Sequence, residues 1–395
     1  MIPSYYEYYN PVKIISGHDA LESVGHELKL LGAKRPILIT FKTAVKLGLD
    51  KQLIDSFGGY DVTIGAIYSE TPPDSSNLVV NEIARMYNEN NCDSIIALGG
   101  GSVLDTAKGV NIVVTEGAHD LMNYVGAEHL TNRMKPLIAI PATSGTGSEV
   151  TLAAVINNVE KGRKMAFTSY RLIPDVAILD SRVTLSVPPR LTAGSGMDAL
   201  THAVEAYSCI QKNPVSDAYA MSAISMLRDY LVKTLEKPKD KDARLATANA
   251  SLLAGCAFSN SMCGIVHAMG HAAGAIGHIP HGEAMAILLP FGMEYNMDLC
   301  KDYYAELLLP LAGPEVYAST PANKRAAKAV DTVRQLNKKL NELSGMPISL
   351  EEAGVSKGQL KSISEAAIDD GAINFNPKDA DSNDILKIVE KAYRR

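Results

Sequence analysis

Residues 264–284 read GIVHAMGHAAGAIGHIPHGEA and place His267, His271, His278 and His281 in one short run, in a chain with only nine histidines. His267 and His271 are four residues apart, which puts both on one face of a helix. Upstream, GSGMDALTHAVEAY sets Asp198 and His202 at the same spacing. His281 lies between Pro280 and Gly282, which reads as a turn just before a further helix. Two helix faces and one turn can converge on one metal ion. A carboxylate with three imidazoles suits a borderline divalent ion, Fe2+ or Zn2+, and the absence of thiolate pairs argues against a structural zinc knot. Any one of these histidines alone would mean little. Several polar side chains on Ala-, Gly- and Met-rich helices, however, need partners if they are buried. Spacing alone leaves open whether His271 is a ligand. His278 reads as a turn residue, and His18, His26, His119 and His129 have no clustered partners.

A second chemistry is written in small residues. LGGGSVLDTAKG, residues 98–109, lacks the third glycine of the GxGxxG dinucleotide fingerprint. A strand ending in Gly99, Gly100, Gly101 and Ser102 still lets backbone N–H groups approach a pyrophosphate at a helix N-terminus, where the dipole favours anions. Asp105 and Lys108 fall in the first turns of that helix. A helix-start carboxylate is an equally good reading of Asp105. The stretch PATSGTGSEVT, residues 141–151, adds Thr143, Ser144, Thr146, Ser148 and Thr151 as hydroxyl donors after another strand. Two such loops at strand ends of one sheet point to a crevice for a long phosphorylated ligand.

The elements that must carry these residues follow from pattern. RPILIT (35–40), VTIGAIY (62–68), SIIALGGGS (94–102) and PLIAIP (136–141) alternate with helical periodicity, as in NLVVNEIARMYNENN, which predicts a parallel sheet covered by helices. After PDVAILD and LSVPPR, helical segments rich in Ala, Leu and Met replace the β-like runs. The expected division is therefore an α/β unit over residues 1–185 and a helical unit over 186–395. LEKPKDKDAR, residues 235–244, reads as a solvated interhelical loop.

Composition limits the partners. A net charge of −6 offers no attraction to a phosphate backbone or an anionic membrane, and no apolar run is long enough to span a bilayer. Nucleic-acid and membrane roles are not expected. Five cysteines without a CxxC fit a reducing cytoplasm, and the N-terminus lacks the pattern of a secretory signal.

Taken in order, GGGSVLDTAK, PATSGTGSEVT, GMDALTHAVEAY, GIVHAMGHAAGAIGHIPHGEAMAILLP and the terminal AAIDDGAINFNP resemble the iron-containing (group III) alcohol dehydrogenase family over nearly the whole chain. The resemblance implies a Rossmann-like NAD(P) domain followed by an all-helical metal domain, the architecture shared with dehydroquinate synthase, with the active site in the cleft between them. It implies Asp198, His202, His267 and His281 as metal ligands for Fe2+, with Zn2+ as the alternative. His271 then lies beside the ion without ligating it, where it can relay a proton. Cofactor contacts carry over to Gly100, Gly101, Ser102, Asp105, Thr143, Ser144, Thr146, Thr151 and Lys164, and the substrate pocket to Ala153 and Phe258. The early strand in YYNPVKIISG resembles one that pairs across a dimer, so a homodimer or larger homo-oligomer is expected.

Three positions depart from the family pattern. Phe41, followed by Lys42, stands where an aspartate binds the adenosine ribose. A carboxylate there would repel a 2′-phosphate and Phe41 does not, so NADP is expected to be accepted. Asp74 replaces a cofactor-binding asparagine, and Ala142 replaces a threonine. The activity implied is reversible hydride transfer between a primary alcohol or small diol and NAD(P)+. The alternatives are a zinc-dependent polyol dehydrogenase, a dehydroquinate-synthase-like lyase or a non-catalytic nucleotide-binding protein. The lyase should carry extra Lys and Arg near the metal motif, where this chain has Ala, Gly and Met.

Overall fold

The computed structural model describes residues 3–118, 120–161 and 163–394; His119 lies outside them. Tyr9–Leu185 form one compact unit, and the chain from Ser186 onward forms the other. Residues 3–8 belong with the second unit, not with the sheet unit to which the sequence reading assigned 1–185: the Tyr8 ring stacks on Tyr219 with centroids 5.7 Å apart.

The first unit is built on six parallel strands, β1 (Lys13–Gly17), β2 (Pro36–Ile39), β3 (Ala66–Tyr68), β4 (Ser94–Gly99), β6 (Leu137–Pro141) and β9 (Val176–Asp180). Their order is β1-β9-β6-β4-β2-β3. Every residue of β2, β4, β6 and β9 is buried, because helices cover both faces, and this is why these strands read as unbroken apolar runs. From β2 the chain steps outward to β3, then returns to β4 on the other side of β2. The carboxyl ends of β2 and β4 therefore bound a topological switch point, the place where open α/β sheets bind ligands. A smaller sheet, β5 (Gly126–Ala127), β8 (Arg163–Thr168) and β7 (Ala153–Asn158), contains an antiparallel β7–β8 pair that the sequence reading did not anticipate. In β7 buried and partly buried residues alternate, the half-covered pattern that a search for fully apolar strands passes over.

In the second unit the Pro189–Ser208 helix is buried on every side from Met197 to Ser208, so it is the central rod of the bundle. Around it pack the helices Pro214–Glu236, Lys241–Phe258, Ile265–Gly277, His281–Tyr295 and Met297–Ala312. Between the first two of these only residues 237–240 form a loop, and Asp240 caps the following helix by accepting from the Ala243 N–H. The expected solvated run 235–244 is thus mostly helix end. Arg244 is buried, and its guanidinium donates to Pro238 O, Val187 O and Thr192 Oγ1. A charged residue near a loop became a strut because those acceptors satisfy it. Among the described residues no helix is long and apolar enough to cross a membrane.

Candidate functional site

In the first unit, β4 leads through Gly100 into the Gly101–Glu116 helix, whose N-terminus has no side-chain cap. The loop after β6 lies against it: Ala142 N–H donates to Gly99 O at 2.8 Å. A Cβ on Gly100 would lie 3.1 Å from Thr143 Oγ1, and one on Gly101 would lie 2.8 Å from Thr146 Cγ2. The two glycine-containing loops are thus in contact at an uncapped helix start, an arrangement suited to phosphate. Phe41 sits just past β2 and precedes the Lys42–Lys46 helix, and Lys42 pairs with Glu70. Asp74 is exposed, Ser144 is partly buried, and Lys164 points outward from β8. Ser102 Oγ donates to Pro73 O.

Asp105 and Thr151 are committed within the protein. Asp105 accepts from Ser148 Oγ at 3.1 Å and from the Val155 N–H at 3.1 Å. Thr151 Oγ1 and O both accept from Lys108 Nζ, which also donates to Ser148 Oγ and to Ala153 O at 2.8 Å. Lys108 is fully buried. Burial pushes its pKa down to about 8, against the pull of Asp105 and Glu149. Burial likewise raises the Asp105 carboxyl and lifts Glu149 to about 7. Lys108 and Asp105 thus tie the loop after β6 and the start of β7 to the Gly101–Glu116 helix, with Glu149 as a further charge beside Lys108.

In the second unit, Asp198 and His202 project from the Pro189–Ser208 helix, His267 and His271 from Ile265–Gly277, and His281 is the first residue of His281–Tyr295. Asp198 Oδ1 lies 3.2 Å from His281 Nε2, 3.7 Å from His202 Nδ1 and 3.8 Å from His267 Nε2. Donor atoms held ~2.1 Å from a tetrahedral ion sit about 3.4 Å from one another, so these spacings bracket what a metal requires. Asp198 Oδ1, His202 Nδ1 and His267 Nε2 are buried without a hydrogen-bond partner. Such orphaned atoms are costly unless a cation satisfies them, so the residues present fit a divalent ion. Burial alone would raise the Asp198 carboxyl, but His202, His281 and His267 outweigh it and hold it well below the carboxylate range. Burial drives His202 down to about 3, which keeps its imidazole neutral and ready to ligate. The Asp198, His202 and His267 side chains are 3–7% exposed and that of His281 is 38% exposed, so the cluster is closed on one side and open on the other.

Backbone sets this geometry. A Cβ on Gly282 would lie 2.3 Å from Gly194 O, so the start of the His281 helix rests directly on the Pro189–Ser208 helix one turn before Asp198. Arg190 Nε, 2.5 Å from Glu283 Oε1, ties the same two helix starts together.

Three residues outside the sequence reading complete the cluster. Glu205 follows Asp198 by seven and so shares its helix face. Its Oε2 accepts from His267 Nδ1–H at 2.5 Å and its Oε1 from the Val266 N–H at 2.7 Å. Asp370 Oδ2 accepts from His271 Nδ1–H at 2.8 Å, which leaves Nε2 as the ring's other working atom. Asn376 Oδ1 accepts from the Ile265 N–H at the start of the helix that carries His267. The signal for Glu205 was the heptad spacing; Asp370 and Asn376, about a hundred residues away, left none that periodicity could find. His271 is partly buried and stacks on His281 with centroids 5.2 Å apart. Phe258 stacks on His202 at 4.1 Å. His278 is an exposed left-handed residue ending its helix, a turn residue as read. His18 bonds Ser181 and His26 packs edge-on to Tyr60.

A chain with a switch-point glycine loop in one unit and a buried carboxylate–imidazole cage in the other is equipped as a metal-dependent dehydrogenase. Family comparison agrees: residues 11–181 match the iron-containing alcohol dehydrogenase model, and residues 192–393 match the C-terminal model of the Fe-containing alcohol dehydrogenase family. The chain belongs to the iron-containing alcohol dehydrogenase family. It is similar to 1,3-propanediol dehydrogenase of Klebsiella pneumoniae, at 35% identity over 98% of this chain and 99% of that one. It is equally similar to the NADPH-dependent butanol dehydrogenase of Clostridium saccharobutylicum, at 35% identity over 97% of each. A crystal structure of a 1,3-propanediol oxidoreductase superposes with a TM-score of 0.94 at 34% identity, over 98% of this chain and 100% of the other. The protein is an NAD(P)-dependent alcohol dehydrogenase whose cofactors are Fe2+ and NAD(P), and the polyol dehydrogenase and lyase readings are not favoured.

Proposed function

We propose that Asp198, His202, His267 and His281 are the four residues that hold Fe2+, and that the enzyme interconverts short primary alcohols or small diols with their aldehydes. The observation that carries this reading is the set of orphaned buried donor atoms gathered around Asp198 Oδ1. A divalent ion held there supplies Lewis acidity toward an alcohol or aldehyde oxygen while a hydride passes to or from the nicotinamide. Asp198 contributes one negative charge, and the neutral imidazoles contribute none, so the site keeps a net charge of about +1 that favours an anionic oxygen. His271, aligned by Asp370 and partly open to solvent, is the proton carrier in this reading. Phe258 and Ala153 are the proposed substrate contacts; the Phe258 ring stacks on His202, and Ala153 offers only a methyl group.

Gly100, Gly101, Ser102, Thr143, Ser144 and Thr146 are the proposed cofactor contacts, supported by the meeting of their loops at the switch point. Asp105, Thr151 and Lys164 flank them, the first two through the bonds that brace the loop. At the adenosine end, Phe41 and Lys42 follow β2, and the Lys42 ion pair with Glu70 is exposed, one that a 2′-phosphate can displace. Asp74, also proposed as a cofactor contact, is exposed. NADPH is therefore proposed as a competent cofactor. We further propose a homodimer in a reducing cytoplasm, supported by the burial of all five cysteines outside any disulfide and by the outer edge of β1, where Ile14 is exposed.

One experiment tests the whole. Metal-free protein is reloaded without oxygen with Fe2+ or Zn2+, sized on a column, and assayed for oxidation of NADPH and of NADH with butanal. Iron-dependent turnover with NADPH from a dimer is expected; no turnover with either metal overturns the ligand assignment, and efficient NADH with inert NADPH overturns the cofactor assignment.

Glu205 gives a finer check. Both of its oxygens accept hydrogen bonds, whereas a glutamine amide would turn its NH2 toward either His267 or Val266. Glu205→Gln is expected to weaken Fe2+ retention by about 10–100-fold, the usual cost of losing a carboxylate behind a metal-bound histidine. Competition with a calibrated chelator reads this directly, and unchanged retention would remove Glu205 from the site.

A further inference from the structure

Cys263 lies two residues before the helix that carries His267 and is buried. Its Sγ, one ring nitrogen of His202 and one of His267 all lie within 4.8 Å of one another. This is a second group of donors, distinct from the trio Asp198, His267 and His281, which also gathers within 4.8 Å. The two groups share His267. Its Nδ1 is taken by Glu205, so Nε2, buried and without a hydrogen-bond partner, is the nitrogen left to serve either. His202 Nδ1 is buried and unpartnered as well. All three residues of the Cys263 group are buried, whereas the carboxylate group opens through His281.

The two donor sets differ in chemistry more than in place. Carboxylate with imidazoles suits a borderline ion such as Fe2+, while a thiolate with imidazoles selects soft ions. We propose that His202, Cys263 and His267 form a second metal position for thiophilic divalent ions, and that an ion seated there excludes Fe2+ because His202 and His267 cannot serve both. Binding replaces the S–H proton of Cys263 with a metal–sulfur bond, and the proton passes to solvent. The enzyme thereby carries a soft-metal inhibition site built into the wall of its own cage. The proposal uses two of the residues assigned to Fe2+ above but draws its selectivity from a thiol that the assignment leaves out.

The test is titration of the metal-free, full-length protein with Cd2+, followed by the thiolate-to-cadmium charge-transfer absorption in the ultraviolet. The wild type is expected to develop this band to one equivalent, and wild type first loaded with Fe2+ is expected to release that ion in step as the same band grows. Cys263→Ala and the isosteric Cys263→Ser are both expected to lack the band, with Cd2+ affinity down roughly tenfold or more, the equivalent of at least about 1.4 kcal/mol. Asp198→Asn is expected to keep it. Cd2+ bound without a charge-transfer band, or a band that survives in either Cys263 variant, overturns the proposal. If the band appears but Fe2+ never binds, the Fe2+ assignment fails and the soft-metal position stands; if neither ion binds, both fail.

Discussion

Replacing Asp198 with asparagine is expected to strip the enzyme of iron and of activity together. The side chain keeps its shape, so the buried helix around it has no reason to repack, but the one negative charge of the cage is gone. Asp198 Oδ1 is the common point of the cluster, within 3.8 Å of nitrogens from three different segments. An amide oxygen is a weaker donor and leaves the full charge of the ion among neutral imidazoles. Fe2+ affinity is expected to fall at least ~100-fold, about 2.7 kcal/mol, and turnover at limiting iron to fall with it. Iron content after dialysis, measured beside a thermal melt, separates loss of metal from loss of fold. Full iron retention at wild-type turnover would show that Asp198 is not a ligand.

The second large effect is expected in the sheet unit. Lys108→Met removes a buried ammonium that donates to two carbonyls and two hydroxyls, and it leaves Asp105 and Glu149 without their shared counter-charge. Breaking a buried charge arrangement on one side costs about 3–5 kcal/mol. For a unit of this size that corresponds to a melting temperature lower by roughly 6–20 °C. The pH dependence has a definite sign. Burial lifts Glu149 to about 7 in the fold against 4.5 for an ordinary glutamate, so it costs no stability below the lower value, and stability falls as pH rises through the higher one. Without Lys108 that carboxyl rises further, so the deficit of the variant is expected to be small near about pH 5 and large near about pH 7, where Lys108, at about 8, is still mostly charged. Melts of variant and wild type that coincide at both values would show that the lysine is dispensable.

How far the sequence foretold this varies by element. β2, β4, β6 and β9 were legible because a strand buried on both faces must be apolar throughout, and their glycine-ended turns were legible because only small residues permit that approach. The helical cage was legible because histidine is scarce in this chain and its spacing in the 264–284 run is helical. β7 and β8 were missed because half-covered strands mix residue types. Arg244 was misread because a charge near a loop looks solvated until its acceptors are known, and those come from residues 187, 192 and 238. Asp370 was visible as a letter in AAIDDGAINFNP, but its grip on His271 depends on a fold that brings together residues 99 positions apart. Cys263 was discounted for want of a second cysteine, although the partners it meets are histidines.

The seam between Gly194 and Gly282 limits how this chain can diverge. A methyl group at position 194 would meet its neighbours at 3.5 Å or more, an ordinary contact, whereas one at 282 would run into a carbonyl oxygen 2.3 Å away. Substitution is thus open on one side of the seam and closed on the other. An added methyl at 282 is expected to push the neighbouring His281 away from Asp198. What holds position 282 to glycine is the backbone of another helix, which cannot give way as a flexible side chain can.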